Sequence, residues 1–234
     1  MSVLPKWVFT RQQILQAACR VDPSFKETQL RALIGTLLRD HLIMREGHNQ
    51  YRVVGEGPQK PHFVGVYSPA ALHVIAYMND RFPLLSFRVW ELSWLNEFFN
   101  HLIARNQIYL EVERVGVEYV FSSLFEILPG KVLYRPTEQD VAHYSAHDSI
   151  IVDRLITEAP KSQEGPHQVP LEKLIIDMFA NKNLLLFEGE FPATFEMMFS
   201  KYHLDQVAML RYARRRNKEK VLREFFKSNT EIEL

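Results

Sequence analysis

Carboxylates at strand spacing are the first residues in this chain that suggest chemistry. Glu91 lies in an apolar, aromatic run from Leu84 to Leu92, and Glu111-Val112-Glu113-Arg114 lies on the next alternating stretch. Restriction-type nucleases set an acid on one strand and an acid-x-lysine on its neighbour, so that the carboxylates hold a divalent ion. The lysine of that pattern is missing: position 114 is arginine, which cannot accept a proton at neutral pH. Exposed strand carboxylates on an acidic domain are the plainer expectation, and a metal-dependent nuclease using Glu91, Glu111 and Glu113 stands as the alternative. His143 and His147-Asp148 have metal-like spacing, but among 9 histidines one such spacing is unremarkable. Cys19 is a single cysteine in a helical pattern and reads as a small packed residue. There is no glycine-rich phosphate loop, zinc-finger spacing or Gly-x-Ser-x-Gly. The sequence therefore predicts no catalytic residue, no metal and no cofactor.

A second group of residues suits contact with nucleic acid. Lys26, Thr28, Gln29, Arg31 and Ala32 crowd the start of a predicted helix, and Arg45, His48, Asn49 and Arg52 fall on a hairpin that follows. A helix fits the DNA major groove, where its N-terminal side chains reach base edges; glutamine pairs with adenine and arginine with guanine. The hairpin residues would take backbone or minor-groove contacts. Late in the chain, Arg211, Arg214, Arg215 and Arg216 surround Tyr212 and make a possible second basic surface, with the tyrosine free to stack on a base or on a partner's ring. A solvated helix end would look the same, since cations favour a helix C-terminus.

These residues need elements to hold them. Leu30, Leu33, Ile34, Leu37 and Leu38 recur at helical spacing. Leu42-Ile43-Met44, a turn at Gly47-His48-Asn49, and Gln50 to Val54 then read as a hairpin. Thr10-Arg11-Gln12-Gln13 is a capping box that opens an earlier helix, and Ser24-Phe25-Lys26-Glu27 is a second that places the next start near Phe25. Residues 1–56 are thus expected to form a winged helix-turn-helix, 57–67 a linker, and 68–227 an α/β domain with C-terminal helices. Within that last domain a helix opens at Ser68-Pro69, strands fall at 84–92, 107–114, 131–135 and 149–155, and helices at 93–106, 116–128 and after Val169. The fold class is a mixed α/β and α+β chain.

Charge supports a division of labour. Residues 1–60 hold nine Lys/Arg and five Asp/Glu, residues 61–200 ten and eighteen, and residues 201–234 nine and five, giving +4, −8 and +4. A basic head on an acidic body suits a chain whose head meets phosphates. No apolar run reaches the ~20 residues of a membrane span, and the start has no secretory signal pattern. With one cysteine, a soluble cytoplasmic protein is expected.

Phe9-Thr10-Arg11, Leu42-Ile43-Met44-Arg45 with Tyr51-Arg52, and Val169-Pro170-Leu171-Glu172-Lys173-Leu174-Ile175-Ile176-Asp177 carry a resemblance. In layout and in these motifs the chain resembles the AbiEi-type antitoxins of bacterial type IV toxin–antitoxin systems. That resemblance implies an antitoxin that represses its own operon by binding repeats in promoter DNA as a monomer or dimer. It also implies a neighbouring nucleotidyltransferase-type toxin as partner, with direct contact left open, and a nuclease-like but silent C-terminal domain. A non-catalytic adaptor whose first module binds protein is the other alternative.

Overall fold

The computed structural model describes residues 8–40, 42–47, 49–54, 60–144 and 146–234. These fall into two compact units, the first reaching to Lys60 and taking in Glu233–Leu234, the second spanning Pro61–Ile232. Both are mixed α/β, with one sheet each.

The first unit runs β1 (Val8–Thr10), α1 (Arg11–Val21), α2 (Glu27–Arg39), β2 (Ile43–Gly47) and β3 (Gln50–Val53). Its three strands are antiparallel in the order β1-β3-β2, so the strand before the helices pairs with the last one. Thr10 caps α1 as the sequence predicts: Gln13 N donates to Thr10 Oγ1 at 3.2 Å and Thr10 N to Gln13 Oε1 at 2.7 Å. The second predicted box does not form at Ser24. Asp22 Oδ1 accepts from both Ser24 N and Ser24 Oγ, at 2.9 and 2.7 Å, because an aspartate two residues back is the nearer acceptor. The helix starts later instead, where Lys26 N donates to Gln29 Oε1 at 2.8 Å. Leu30, Ile34 and Tyr51 form the buried centre, flanked by Ile14, Leu15, Phe25, Leu38 and Ile43.

The second unit contains α3 (Pro69–Arg81), β4 (Phe87–Glu91), β5 (Gln107–Val112), α4 (Val117–Ile127), β6 (Val132–Tyr134), α5 (Glu138–Tyr144), β7 (Ser149–Arg154), α6 (Leu171–Ala180), α7 (Phe191–Lys201), α8 (Gln206–Arg215) and α9 (Glu219–Asn229). Strand order is β4-β5-β7-β6; β4 runs antiparallel to β5, while β5, β7 and β6 are parallel. Alternation along the strands sends Phe87, Val89, Ile108, Leu110, Val112, Ile150 and Val152 to one face, where α3 and α4 cover them. On the other face α6 is buried along Leu171 to Phe179, which makes it an interior helix rather than a surface one.

Two segments differ from the sequence reading. The helix predicted over 93–106 is only a 3₁₀ turn, Leu92–Glu97, followed by irregular chain. Asn96 Oδ1 accepts from Ile103 N at 2.7 Å, a side chain competing with the backbone ladder for the amide. The predicted linker also ends sooner than 67. Phe63 and Gly65 are buried in the second unit, with Gln168 Nε2 donating to Gly65 O at 2.9 Å. Residues 55–59 lie outside the described part of the chain. Among the described residues, no helix is long and apolar enough to cross a membrane.

Candidate functional site

The polar centre of the second unit lies on the α6 side of the sheet. Strand alternation places Arg88 and Trp90 of β4 opposite Glu111 and Tyr109 of β5, all on this face. Trp90 and Tyr109 stack with ring centres 4.0 Å apart and planes 7° from parallel. Glu111 Oε1 accepts from Trp90 Nε1 at 3.2 Å and from Lys173 Nζ of α6 at 2.5 Å. Lys173 also donates to Asp177, one turn further along the same helix. Asp177 Oδ1 accepts from Tyr212 Oη of α8 at 3.0 Å, and Arg216 approaches it to 3.8 Å. Two carboxylates and two cations thus neutralise one another inside the fold.

Environment raises Lys173, Tyr212 and Tyr109, for different reasons. Burial pulls the Lys173 ammonium toward neutrality, but the Asp177 and Glu111 carboxylates outweigh it and hold its pKa above the ordinary lysine value. Burial, then the charge of Asp177, pushes the Tyr212 phenol up. Burial alone raises Tyr109.

A cavity of about 560 Å³ opens beside this cluster. Trp90, Tyr109 and Ile151 line it from the sheet, and Arg135, Arg154, Lys182 and Arg216 bring positive charge to it. Arg135 and Arg154 stand at the carboxyl ends of the parallel strands β6 and β7, the end where open α/β sheets receive ligands. Asn183 also lines it, from the 3₁₀ helix Lys182–Glu190 that follows α6.

The predicted nuclease carboxylates do not meet. Glu91 faces the α3 side, accepting from Ser68 N and Asn106 Nδ2 at 2.7 Å each, so it caps α3 from within the core. Glu111 is on the opposite face, and Glu113 falls beyond the end of β5. The lysine missing from the strand motif is nonetheless present, delivered to Glu111 from α6. Its only sequence signal is Lys173 and Asp177 at a four-residue spacing in an apolar helix. His143 bonds the carbonyl of Gln139 through Nδ1, His147 reaches Asp148, and among the described residues no group of three or more His, Cys, Asp or Glu could hold a metal ion.

In the first unit Lys26, Thr28, Gln29, Arg31 and Ala32 are all exposed, as are Arg45 and Asn49. The Arg45 guanidinium lies 5.8 Å from the Tyr51 ring centre. Arg52 departs from its expected exposed position: it is 3 % exposed, donates to Glu46 Oε1 at 2.5 Å, and also touches Met44 Sδ. Alternation turns it away from Tyr51 and under the side chains of β2, so it supports the hairpin instead of projecting from it. His48 lies outside the described residues. The late basic run is not one uncommitted patch. Arg214 pairs with Glu219 at 2.6 Å, Arg215 bonds Thr157 Oγ1 at 2.7 Å, and Arg216 turns toward Asp177, while Arg211 is exposed. Tyr212 is fully buried and cannot stack on an incoming base.

The architecture makes this a mixed α/β protein with a small three-stranded unit and a larger four-stranded one. A family model described as a family of unknown function (DUF6577) matches residues 29–232, and the chain belongs to that family. No curated protein and no solved structure matches the chain.

Proposed function

We propose that the first unit is a winged helix-turn-helix that docks on double-stranded DNA, and that the chain is a cytoplasmic antitoxin of the AbiEi type that represses its own promoter. The observation that carries the DNA reading is the two-sidedness of α2. Leu30 and Ile34 are buried against Tyr51, while Lys26, Thr28, Gln29, Arg31 and Ala32 face solvent together at its N-terminal end. The strand order β1-β3-β2, with both helices between β1 and β2, suits a wing formed by β2 and β3. Gln29 is half committed, because its side-chain oxygen already caps the helix and only its amide NH₂ is left for a base. Arg31 is the stronger base reader on that ground.

Gel-shift titration with the gene's own upstream DNA tests this. Arg31→Ala is expected to weaken binding by about tenfold or more without lowering the melting temperature. Arg52→Ala acts differently, lowering the melting temperature because it leaves Glu46 unpaired. Absence of binding to every upstream fragment at low salt ends the DNA reading.

The antitoxin part rests on the resemblance. It expects an adjacent nucleotidyltransferase-type toxin whose growth arrest is relieved when this chain is co-expressed. The second unit is read as non-catalytic, because Glu91 and Glu111 are on opposite faces of the sheet and Glu111 is neutralised by Lys173.

A further inference from the structure

The cavity beside Glu111 has features that a purely structural core does not need. Its volume of about 560 Å³ falls in the range of small-molecule sites, about 300–1,000 Å³. Its position, at the carboxyl ends of β7 and β6, is where parallel strands leave room for a ligand.

The charges sort into spent and unspent. Glu111 and Asp177 are satisfied by Lys173, and Asp153 is met by Arg135 at 3.3 Å. Arg154 and Lys182 have no carboxylate within ion-pair distance among the described residues, although both line the cavity; Glu138 lines it too and makes no ion pair among the described residues, so the unspent charges are two cations against one carboxylate. Arg216 adds a third cation, only 3.8 Å from an Asp177 that Lys173 already serves. An anion with several oxygens would answer these cations, and guanidinium groups suit phosphate in particular.

A bare anion leaves one group unanswered. Asn183 is 8 % exposed, lines the cavity, and its side-chain oxygen is buried without a hydrogen-bond partner. An orphaned acceptor costs free energy unless a donor arrives, and an ionised phosphate supplies none. A hydroxyl or amino group on the same ligand would, once the Asn183 amide turns its buried oxygen toward the cavity. Trp90, Tyr109 and Ile151 back the cavity as an apolar floor, although little of their own surface reaches it.

We propose that this cavity binds an organic phosphate of nucleotide size, its phosphate held by Arg154, Lys182 and Arg216 and a donor group held by Asn183. The site is confined to the second unit and does not depend on the DNA reading.

Isothermal titration of the full-length protein with each of the four nucleoside 5′-monophosphates tests it, beside inorganic phosphate and the corresponding nucleosides. Saturable binding of at least one monophosphate is expected, with phosphate and the nucleoside each weaker by about tenfold or more. Lys182→Gln and Arg154→Gln should each weaken it by about tenfold, the loss of one charge-assisted contact. Asn183→Leu should reduce the preference over inorganic phosphate. Lys182 is exposed, so that variant keeps the test decisive even if Arg154→Gln fails to fold. Arg31→Ala, in the other unit, should bind the nucleotide as the wild type does, which separates failure here from failure of the DNA reading. No saturable heat with any monophosphate at millimolar concentration overturns the proposal. So does unchanged affinity in Lys182→Gln, or inorganic phosphate binding as tightly as the best nucleotide.

Discussion

Lys173 holds a charge at 0 % exposure, which a protein interior tolerates only when opposite charges and hydrogen bonds surround it. Glu111 and Asp177 supply both. Their dependence is mutual, since each carboxylate is itself buried and would face water-poor surroundings alone. Lys173→Met nearly preserves the shape of the side chain while removing the cation, so it isolates this effect. It is expected to destabilise the fold by about 3–5 kcal/mol, the usual consequence of stripping one partner from a buried pair. Urea denaturation followed by tryptophan fluorescence reads the change. A loss under about 1 kcal/mol would place the cluster with ordinary surface pairs. Adding Glu111→Gln and Asp177→Asn to Lys173→Met should restore part of the loss, because the stranded charges are then gone.

At the scale of elements, the close approach of chain to ring at Gly65 decides how the start of the second unit packs. A Cβ built there would sit 2.3 Å from Trp94 Cε2. Trp94 is 6 % exposed, and its Nε1 donates to Val66 O at 2.9 Å, so the indole has no room to swing aside. Gly65→Ala is therefore expected to cost about 1–3 kcal/mol by overpacking, seen as a lowered urea midpoint. A neutral result would mean that the segment is not anchored on Trp94. This contact was invisible in the sequence, where Gly65 looked like linker composition. Elements with a local signal were legible: the Thr10–Gln13 cap, the stripe of Leu30 and Ile34, and the alternation of Ile108, Leu110 and Val112 all follow from neighbours within a few residues. What failed depended on distant partners. Strand pairing put Glu91 and Glu111 on opposite faces, and the order β4-β5-β7-β6 brought Lys173 to Glu111 across 62 positions. Arg52 looked available because a hairpin exposes half its residues, but the face it takes is covered by Met44 and Glu46.

For the whole molecule, buried protons link these local features to stability. Burial raises the phenols of Tyr67 and Tyr109, and burial with the charge of Asp177 raises that of Tyr212. Lys173 is also raised, by Asp177 and Glu111 working against burial. In each case the folded chain keeps a proton that the unfolded chain releases, starting from ordinary values of 10.0 for tyrosine and 10.5 for lysine. The stability these groups contribute is complete below pH 10 and is lost as pH rises through the raised values. Each such group steepens the fall by up to about 1.4 kcal/mol per pH unit. The acid side differs. Asp22, Asp140 and Glu190 are lowered by hydrogen bonds, so their contribution is lost as pH falls through their depressed values, but all three lie at the surface, where such effects are weak. Burial instead raises Glu111 and Glu172, whose contribution is lost as pH rises through their raised values. An asymmetric profile follows: urea midpoints nearly level from pH 7 to 9 and dropping steeply above about 10. Trp90 and Trp94 both belong to the second unit, so in a Trp7→Phe background tryptophan fluorescence reports the part of the chain that contains the three raised tyrosines and Lys173. Tyr212→Phe removes one of them and should make the alkaline decline shallower than in the wild type. A midpoint that stays level to pH 11, or a decline that Tyr212→Phe leaves untouched, would mean that the proton-holding interior is not what limits the fold in base.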